Sequence, residues 1–424
     1  MLRLKYVQLP DGRIRDIVIE DGKIVRIEQC SRREKKEGPH RVFPGLIDPH
    51  VHDRTPGAEH KETVEHMTDA AIHGGVTTVF TMPNTNPTIT TIEELEKKEQ
   101  LIINSPINHF QWFGVTPTNL HLFPRVVRYR IVPGFKSCTT HTTGTDQNFI
   151  ITETEDIRRA YQTVAGLNAI MASHTESDEC IKQNLKNLGR EPQISDHCLI
   201  RSTEAEVRDI MRVLAIQEEI GCLLYICHVS TPEGLELTYA AKKRGARVYT
   251  EVCPHHWKLP DFLLNGEDGG FYKVNPPLRS WKKIQRMAEL LCIPGYVDCV
   301  ASDHAPHTFE EKRRQEYDKV PSGVPGVQTI FPLVFSLVLQ GKMTMEHFIN
   351  LTSRNAAKIF RLGKKGVIEE GADADLIVVD PDAQHIILNE DMKSKCGWTP
   401  YHGMVVQGKV MMTIARGKLV YQAN

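Results

Sequence analysis

Short apolar runs alternate with longer amphipathic segments between residues 44 and 360, and this alternation limits the fold more than any other feature of the sequence. The runs are typical of buried strands. The segments between them start at Thr-x-x-Glu or Thr-Pro signals and stop at glycines, as helices do. The runs cover residues 46–52, 75–82, 110–115, 131–136, 169–174, 223–228, 248–253 and 297–303. Eight strands separated mostly by helices predict an α/β protein with a distorted (β/α)8 TIM barrel.

Two other α/β folds are disfavoured by the turns that follow these runs. None of these runs is followed by the Gly-x-Gly-x-x-Gly turn that holds dinucleotides or by the Gly-x-x-x-x-Gly-Lys turn that holds phosphates. A Rossmann or P-loop protein is therefore not expected.

Both ends of the chain have the pattern of short strands. Residues 17–19 and 24–27 flank Asp21-Gly22, a dipeptide typical of a tight hairpin turn. Similar short apolar runs occur near the other end, at residues 376–379, 405–406, 410–412 and 419–421. Neither end can bury a core alone, so the two are expected to pair into one small, discontinuous β-sandwich. The predicted domains are residues 1–43 and 361–424 for the sandwich and residues 44–360 for the barrel.

Charge and cysteine usage limit the partners and the compartment. The 52 basic and 53 acidic residues leave a net charge of -1, so nothing favours nucleic acid or an anionic membrane as the main partner. No apolar run reaches the length of about 18 residues that a membrane span needs, and no signal-peptide pattern begins the chain. The 10 cysteines are scattered without a Cys-x-x-Cys pair. These features predict a cytoplasmic enzyme with reduced thiols and a small-molecule substrate.

The first barrel run ends in a pattern that suggests metal binding. His50 and His52 are two residues apart, so the period of a strand places both imidazoles on one face, where they can share a metal ion. Arg54 follows two residues later and would place a permanent cation beside the metal. A cation next to a metal favours an anionic substrate.

Other runs end in similar residues. The C-terminal ends of barrel strands hold the chemistry of such enzymes, and five of the runs end in metal-binding types of side chain: His50, His52, Lys136, His174, His228 and Asp303. Six are too many for one tetrahedral zinc with an open position but suit two divalent metals. A charged Lys136 would repel both metals, so we expect CO2 to convert its amine into an anionic carbamate that bridges them.

Several motifs resemble those of one family. They are Phe-Pro-Gly-Leu-Ile-Asp-Pro-His-Val-His-Asp-Arg (43–54), Glu-His-Lys-Glu-Thr (59–63), Gly-Gly-Val-Thr-Thr (74–78), Met-Pro-Asn-Thr-Asn-Pro (82–87), His-Val-Ser-Thr (228–231), Glu-Val-Cys-Pro-His-His (251–256), Lys-Val-Asn-Pro-Pro-Leu-Arg (273–279), Ser-Asp-His-Ala-Pro-His (302–307) and Gly-Val-Ile-Glu-Glu-Gly-Ala-Asp-Ala-Asp-Leu (366–376). Together they resemble the longer, sandwich-bearing class of dihydroorotases in the amidohydrolase superfamily. The resemblance runs nearly from end to end.

The resemblance implies a function for each site residue. The six strand-end residues, with Lys136 carboxylated, would hold two Zn²⁺, and Asp303 would also move the proton. The substrate carboxylate would be bound by Arg54, Asn84 and His307. The ring would be bound by Asn275 and the backbone between Gly323 and Gly326. The implied reaction is the reversible cyclisation of N-carbamoyl-L-aspartate to L-dihydroorotate plus water, in pyrimidine synthesis.

Alternatives remain open from the sequence. A hydantoinase, dihydropyrimidinase or allantoinase would open a neutral ring, and such relatives generally lack the pair formed by Arg54 and Asn84. A non-catalytic scaffold usually loses metal ligands, whereas all are present here. A homodimer and docking on aspartate transcarbamoylase are further hypotheses. Asp53 and Thr55 depart from the family pattern around Arg54.

Three further features receive structural interpretations. His141 is expected to be an exposed loop histidine. His256 is expected to support the site rather than bind a metal. The charged run at residues 310–316 is expected to form a solvated helix or lid.

Overall fold

The computed structural model describes residues 1–30, 40–142 and 149–423. The strands in these residues are β1 (Leu2–Gln8), β2 (Ile14–Glu20), β3 (Lys23–Gln29), β4 (Arg41–Pro44), β5 (Leu46–Val51), β6 (Val76–Thr81), β7 (Asn108–Gln111), β8 (Phe113–Gly114), β9 (Phe135–Cys138), β10 (Ile170–His174), β11 (Leu223–Ile226), β12 (Val248–Val252), β13 (Cys299–Val300), β14 (Leu376–Ile386), β15 (Val405–Ala415) and β16 (Lys418–Gln422). The α-helices are α1 (Val64–His73), α2 (Ile92–Ile102), α3 (Phe123–Val126), α4 (Thr154–Gly166), α5 (Asp178–Leu188), α6 (His197–Ile200), α7 (Thr203–Ile220), α8 (Pro232–Lys243), α9 (His255–Lys258), α10 (Trp281–Leu291), α11 (Phe309–Lys312), α12 (Ile330–Leu339), α13 (Met345–Ile349) and α14 (Asn355–Ile359).

Strands β5 to β13 form the barrel. They occur as a three-stranded sheet, β5-β6-β7, and a six-stranded sheet, β8-β9-β10-β11-β12-β13, with every neighbouring pair parallel. Strands β7 and β8 are separated only by Trp112, so they are one barrel strand with a break, and the barrel has eight strands. A parallel bridge from Val51 to His304 joins the first strand to the segment after the last one. The predicted distorted (β/α)8 barrel is confirmed.

An apolar layer fills the barrel below its C-terminal mouth. Rings from different strands meet there, with the Trp112 centroid 6.4 Å from that of Tyr225 and the Phe80 centroid 4.7 Å from that of Phe360 after α14. Because side chains alternate along a strand, Ala172 in this layer is followed by His174 on the same face of β10. The packed layer therefore supports side chains that point into the mouth.

Both ends of the chain form one small β domain beside the barrel. Its hydrogen-bonded order is β16-β15-β14-β4-β1-β2-β3. The strands from the two ends of the chain therefore meet at β4, which pairs with β1 on one side and with β14 on the other. The two ends share one buried core, made of Leu4, Val7, Leu9, Ile17, Ile19, Ile24, Val42, Ala372, Ala374, Leu376, Val378 and Ile414. The predicted discontinuous sandwich is confirmed, while its boundaries at residues 43 and 361 stay predictions.

Local sequence explains the turns and helix starts. Asp21 and Gly22 both have positive φ, 47° and 78°, as the hairpin between β2 and β3 requires. Helix α2 begins after Thr91, whose side chain accepts from the backbone N–H of Glu94. Among the described residues, every helix is too short or too polar to cross a lipid bilayer.

Candidate active site

One cleft at the C-terminal mouth of the barrel contains most of the predicted site residues. Its lining includes all six predicted metal ligands together with four predicted substrate contacts: His50, His52, Lys136, His174, His228, Asp303, Arg54, Asn84, Asn275 and Gly323. The other two predicted contacts, His307 and Gly326, do not line it. The chain thus brings side chains from five barrel strands into one space.

The donor atoms form two groups within this cleft. In the first, Asp303 Oδ1 lies 3.3 Å from His50 Nε2 and 3.0 Å from His52 Nε2. In the second, His174 Nδ1 lies 3.0 Å from His228 Nε2. Burial lowers the pKa of all four histidines, and a positive charge on Lys136, which lines the same cleft, would lower it further.

In three of these histidines, the ring nitrogen that points away from the cleft lies within hydrogen-bond distance of an oxygen atom. His50 Nδ1 lies 2.8 Å from Glu251, His174 Nε2 lies 2.8 Å from Glu176, and His52 Nδ1 lies 2.8 Å from Asn84 Oδ1. Since these oxygens accept, each imidazole donates outward and turns a lone pair towards the cleft. Metal-binding histidines are held in this way.

The carboxylates behind the histidines are themselves fixed. Arg201 donates to Glu176 through Nε and Nη2, at 3.0 Å and 2.7 Å from Oε2. Burial alone would raise the pKa of Glu176, but Arg201 lowers it below its ordinary value. Tyr225 OH and the backbone N–H of His228 donate to Glu251, each at 2.9 Å. The imidazoles therefore have little freedom to turn.

The donor set fits divalent cations. Burial lowers the pKa of His50, His52 and His228 well below the ordinary value, so these imidazoles are neutral near pH 7. His228 Nδ1 has no hydrogen-bond partner among the described residues, and neutral imidazole is the form that binds metal. Converging lone pairs repel one another without a cation between them, so this arrangement is the one that zinc-type ions stabilise.

Lys136 is buried and lies beside thiols. Its Nζ donates to Cys227 Sγ at 2.9 Å. Burial lowers the pKa of the Lys136 ammonium, but negative charge on Cys227 and Cys138 would outweigh burial and leave that pKa raised. Burial raises the pKa of the two thiols to about 12 and about 11, so both are neutral near pH 7. With neutral thiols, burial favours the uncharged amine that reacts with CO2, while the charge of Glu251 opposes it.

The backbone is strained at three site residues. Eight non-glycine residues of the described chain have positive φ, and three of them are Arg54 (60°), His228 (36°) and Asp303 (45°). This region is disfavoured for residues with a Cβ by roughly 1–2 kcal/mol. Such strain is concentrated at functional positions.

Arg54 is anchored at the edge of the cleft. Its Nε donates to the carbonyl of Pro306 at 3.1 Å, and its Nη2 lies 3.0 Å from His307 Nε2. Burial lowers the pKa of Arg54 to about 10, which leaves it charged near pH 7. His307 also lies 3.2 Å from Lys61 Nζ, and its carbonyl accepts from Trp398 Nε1 at 2.8 Å. His307 therefore contacts Arg54 on the side away from the cleft.

The departure at Asp53 has a structural explanation. Asp53 is fully buried, and Lys98 of α2, also fully buried, donates to its Oδ2 at 2.5 Å and to the carbonyl of Thr55 at 2.6 Å. This ion pair holds both residues that flank Arg54. Sequence analysis did not identify Lys98, because it lies in a charged helix among exposed neighbours.

Replacing Lys98 is expected to destabilise the fold. Lys98→Met leaves a buried carboxylate without its cation, which costs about 3–5 kcal/mol of unfolding free energy, measurable by urea denaturation. Its neighbour Lys97 pairs with exposed Glu93, so Lys97→Met is a matched control that should leave the unfolding free energy almost unchanged, because exposed ion pairs stabilise little. The double variant Asp53→Asn, Lys98→Met should recover part of the loss. Equal effects of the two single variants would contradict the buried pair.

His141, His256 and the charged run at residues 310–316 lie around the site and not among its proposed metal ligands. His141 is exposed, and its carbonyl accepts from Arg201. His256 is buried, and its Nε2 donates to the carbonyl of Pro276 at 2.9 Å. The charged run is only partly solvated: Lys312 is fully buried and donates to the carbonyls of Lys273, Pro321 and Gly323. Lys312 alone departs from the expected solvated helix or lid, because its side chain turns inward to bind these carbonyls.

Sequence analysis also missed the residues that orient the histidines. A carboxylate inside a buried strand needs a partner, and Glu251 in β12 gave that signal. Glu176 follows His174 by two residues at a strand end, which is a second usable signal. Arg201 gave none, because its pairing with Glu176 depends on the path of the chain.

Comparison with known proteins identifies the family. Residues 41–420 match the model of the amidohydrolase family. A dihydroorotase from Halobacterium salinarum is 35% identical over 424 residues, covering 98% of this chain and 95% of that protein. A dihydroorotase from Macrococcus caseolyticus is 34% identical, with 96% and 95% covered. The structure of an L-hydantoinase (dihydropyrimidinase) from Arthrobacter aurescens matches with a TM-score of 0.91 and 27% identity, over 99% of this chain and 96% of that one. With the resemblance to dihydroorotases thus confirmed, the chain belongs to the amidohydrolase family and is a hydrolase.

Proposed function

We propose that this hydrolase is a dihydroorotase, which interconverts N-carbamoyl-L-aspartate and L-dihydroorotate plus water in de novo pyrimidine (UMP) biosynthesis. The observation that carries the proposal is the buried guanidinium of Arg54, which lines the same cleft as the six metal-binding side chains. A buried cation needs an anion, and the carboxylate of the substrate supplies one. The dihydroorotase relatives support the same substrate.

The metal-binding residues support a binuclear zinc centre. His50, His52 and Asp303 would hold one ion, His174 and His228 the other, and carboxylated Lys136 both. When bound, the two ions supply Lewis acidity and lower the pKa of a water molecule. The carbamate and Asp303 add the negative charge that two dications require in a buried cleft.

Proton movement is assigned to Asp303. Its carboxylate lies beside the imidazoles of the first donor group, at the mouth of the barrel. In ring opening Asp303 accepts a proton from the attacking water and delivers it to the departing ring nitrogen, and ring closure reverses both transfers. Asp303 lies in the loop that follows β13, has a positive φ and lines the cleft.

The rest of the cleft suits a small cyclic amide. Asn275 donates through Nδ2 to Thr142 Oγ1 at 3.0 Å, while its Oδ1 has no hydrogen-bond partner among the described residues. That oxygen can accept from a ring N–H. Gly323 brings backbone to the cleft, and a side chain there would meet the carbonyl of Ala305 at 2.6 Å. Asn275 and Gly323 would thus recognise the ring while Arg54 holds the carboxylate.

A hydantoinase-type activity is the second candidate, because the similar solved structures include hydantoinases and dihydropyrimidinases. The substrates that these names refer to are neutral rings. Arg54 argues against such a substrate, since a neutral ring would leave the guanidinium buried and unpaired. A scaffold without activity is the third candidate.

Substrate preference separates the three candidates. The zinc-loaded protein is expected to favour carbamoyl aspartate over hydantoin and allantoin by about 10³-fold or more in kcat/KM, because a site built for a polar group rejects analogues that lack it. The measurement is steady-state kinetics on the three compounds. A preference for a neutral ring would overturn the proposal, and no turnover of any compound would support the scaffold.

The compartment and the associations complete the proposal. The 10 cysteines are free thiols, which supports a cytoplasmic location. A homodimer and an association with aspartate transcarbamoylase stay predictions.

A further inference from the structure

The seventh barrel strand supplies none of the six proposed zinc ligands, yet it ends in a cluster of metal-binding side chains. Strand β12 stops at Val252, Cys253 follows in the turn, and His255 and His256 are the first two residues of α9. All three are buried, with at most 1% of each exposed. Their donor atoms lie within 4.8 Å of one another.

The nitrogens in this cluster lack partners. Neither Nδ1 nor Nε2 of His255 has a hydrogen-bond partner among the described residues, and the same is true of His256 Nδ1. His256 Nε2 donates to the carbonyl of Pro276, so its Nδ1 carries the lone pair. A buried polar group without a partner destabilises the folded protein. A ligand bound among these three atoms and the thiol would supply the partners that they lack.

The chemistry of the cluster selects the ligand. Burial lowers the pKa of His256 to about 4 and that of His255 well below its ordinary value, so both imidazoles are neutral. Burial raises the pKa of the Cys253 thiol well above its ordinary value, and only a strongly bound cation displaces that proton. One sulfur and two imidazole nitrogens form a donor set typical of zinc.

We propose that Cys253, His255 and His256 bind a thiophilic divalent cation of the zinc class, at a site separate from the binuclear centre. The site shares no residue with the six strand-end ligands. It would fix the turn that ends β12, the strand that carries Glu251. Because Glu251 orients His50, the proposed site lies in the framework of the active site without taking part in the reaction.

Cobalt substitution tests the proposal in the full-length protein. A thiolate bound to Co²⁺ gives a near-ultraviolet charge-transfer band, and the six proposed ligands of the binuclear centre include no thiolate. We expect the band in the wild-type protein and in Cys227→Ser, and its loss in Cys253→Ser. Cys227 belongs to another buried group that could hold a metal, with His50 and Glu251, so the two variants together show which thiol binds the cobalt.

Two results would overturn the site. The absence of the band from the cobalt-loaded wild-type protein would mean that water satisfies these groups, and this outcome needs no variant to fold. Loss of the band in Cys227→Ser with retention in Cys253→Ser would assign the thiolate to the other cysteine. Metal analysis should show one more ion per chain in the wild type than in Cys253→Ser. The band is independent of substrate turnover, so the site and the dihydroorotase proposal can fail separately.

Discussion

Lys136→Ala is expected to lower kcat/KM by about 10³-fold or more and to lose part of the bound metal. A loss of roughly 4 kcal/mol of transition-state stabilisation corresponds to that factor. The reason is that Lys136 lines the cleft that contains both donor groups, and its carbamate would be the one ligand common to the two ions. Without it, four neutral imidazoles and Asp303 must balance two dications.

The carbamate can be observed apart from activity. After equilibration with ¹³CO2, the wild-type protein should show a carbamate carbon signal by nuclear magnetic resonance, and Lys136→Ala should not. Short carboxylic acids, which can occupy the space of the lost carbamate, should partly restore turnover. Lys358→Ala, on the exposed face of α14, is the control and should keep activity and metal. Full activity in Lys136→Ala would rule out the carbamate.

The residues of the site differ in how far the sequence predicts their positions and contacts. The pattern at a strand end is local, so the period of two in His50 and His52 and the position of His174 were sufficient to predict where their side chains point. The pairing of His50 with Glu251 joins residues 201 positions apart. Such a contact depends on the order of strands around the barrel, which no local pattern contains.

The sequence also predicted the presence of a strand more accurately than the residues at which it begins and ends. The run at residues 131–136 predicted the fourth barrel strand, but β9 covers Phe135–Cys138. Pro133 lacks the N–H that a central strand requires, so the strand begins after it. In the same way, the charged composition of residues 310–316 concealed Lys312, because an average over a segment does not reveal a single side chain that turns inward.

Arg54→Met is expected to lower kcat/KM for carbamoyl aspartate by about 10²- to 10³-fold while the fold and metal content are retained. Removing one partner of a buried, hydrogen-bonded charge pair costs about 2–5 kcal/mol, and each 1.4 kcal/mol or so is tenfold. Arg54 is bound to Pro306 and His307, not to the proposed metal ligands. Its loss should therefore affect the substrate rather than the ions.

The choice of substrate makes this test specific. If Arg54 recognises the carboxylate, the variant should lose turnover of the acid while any hydrolysis of hydantoin stays the same or rises, because a neutral ring no longer leaves a cation buried and unpaired. Arg314→Met, on the exposed run after α11, controls for the loss of one positive charge. Metal content measured on the same samples separates a binding defect from a lost ion. Unchanged kinetics with carbamoyl aspartate would mean that Arg54 does not bind the carboxylate, and the acid substrate would then lose its main structural support.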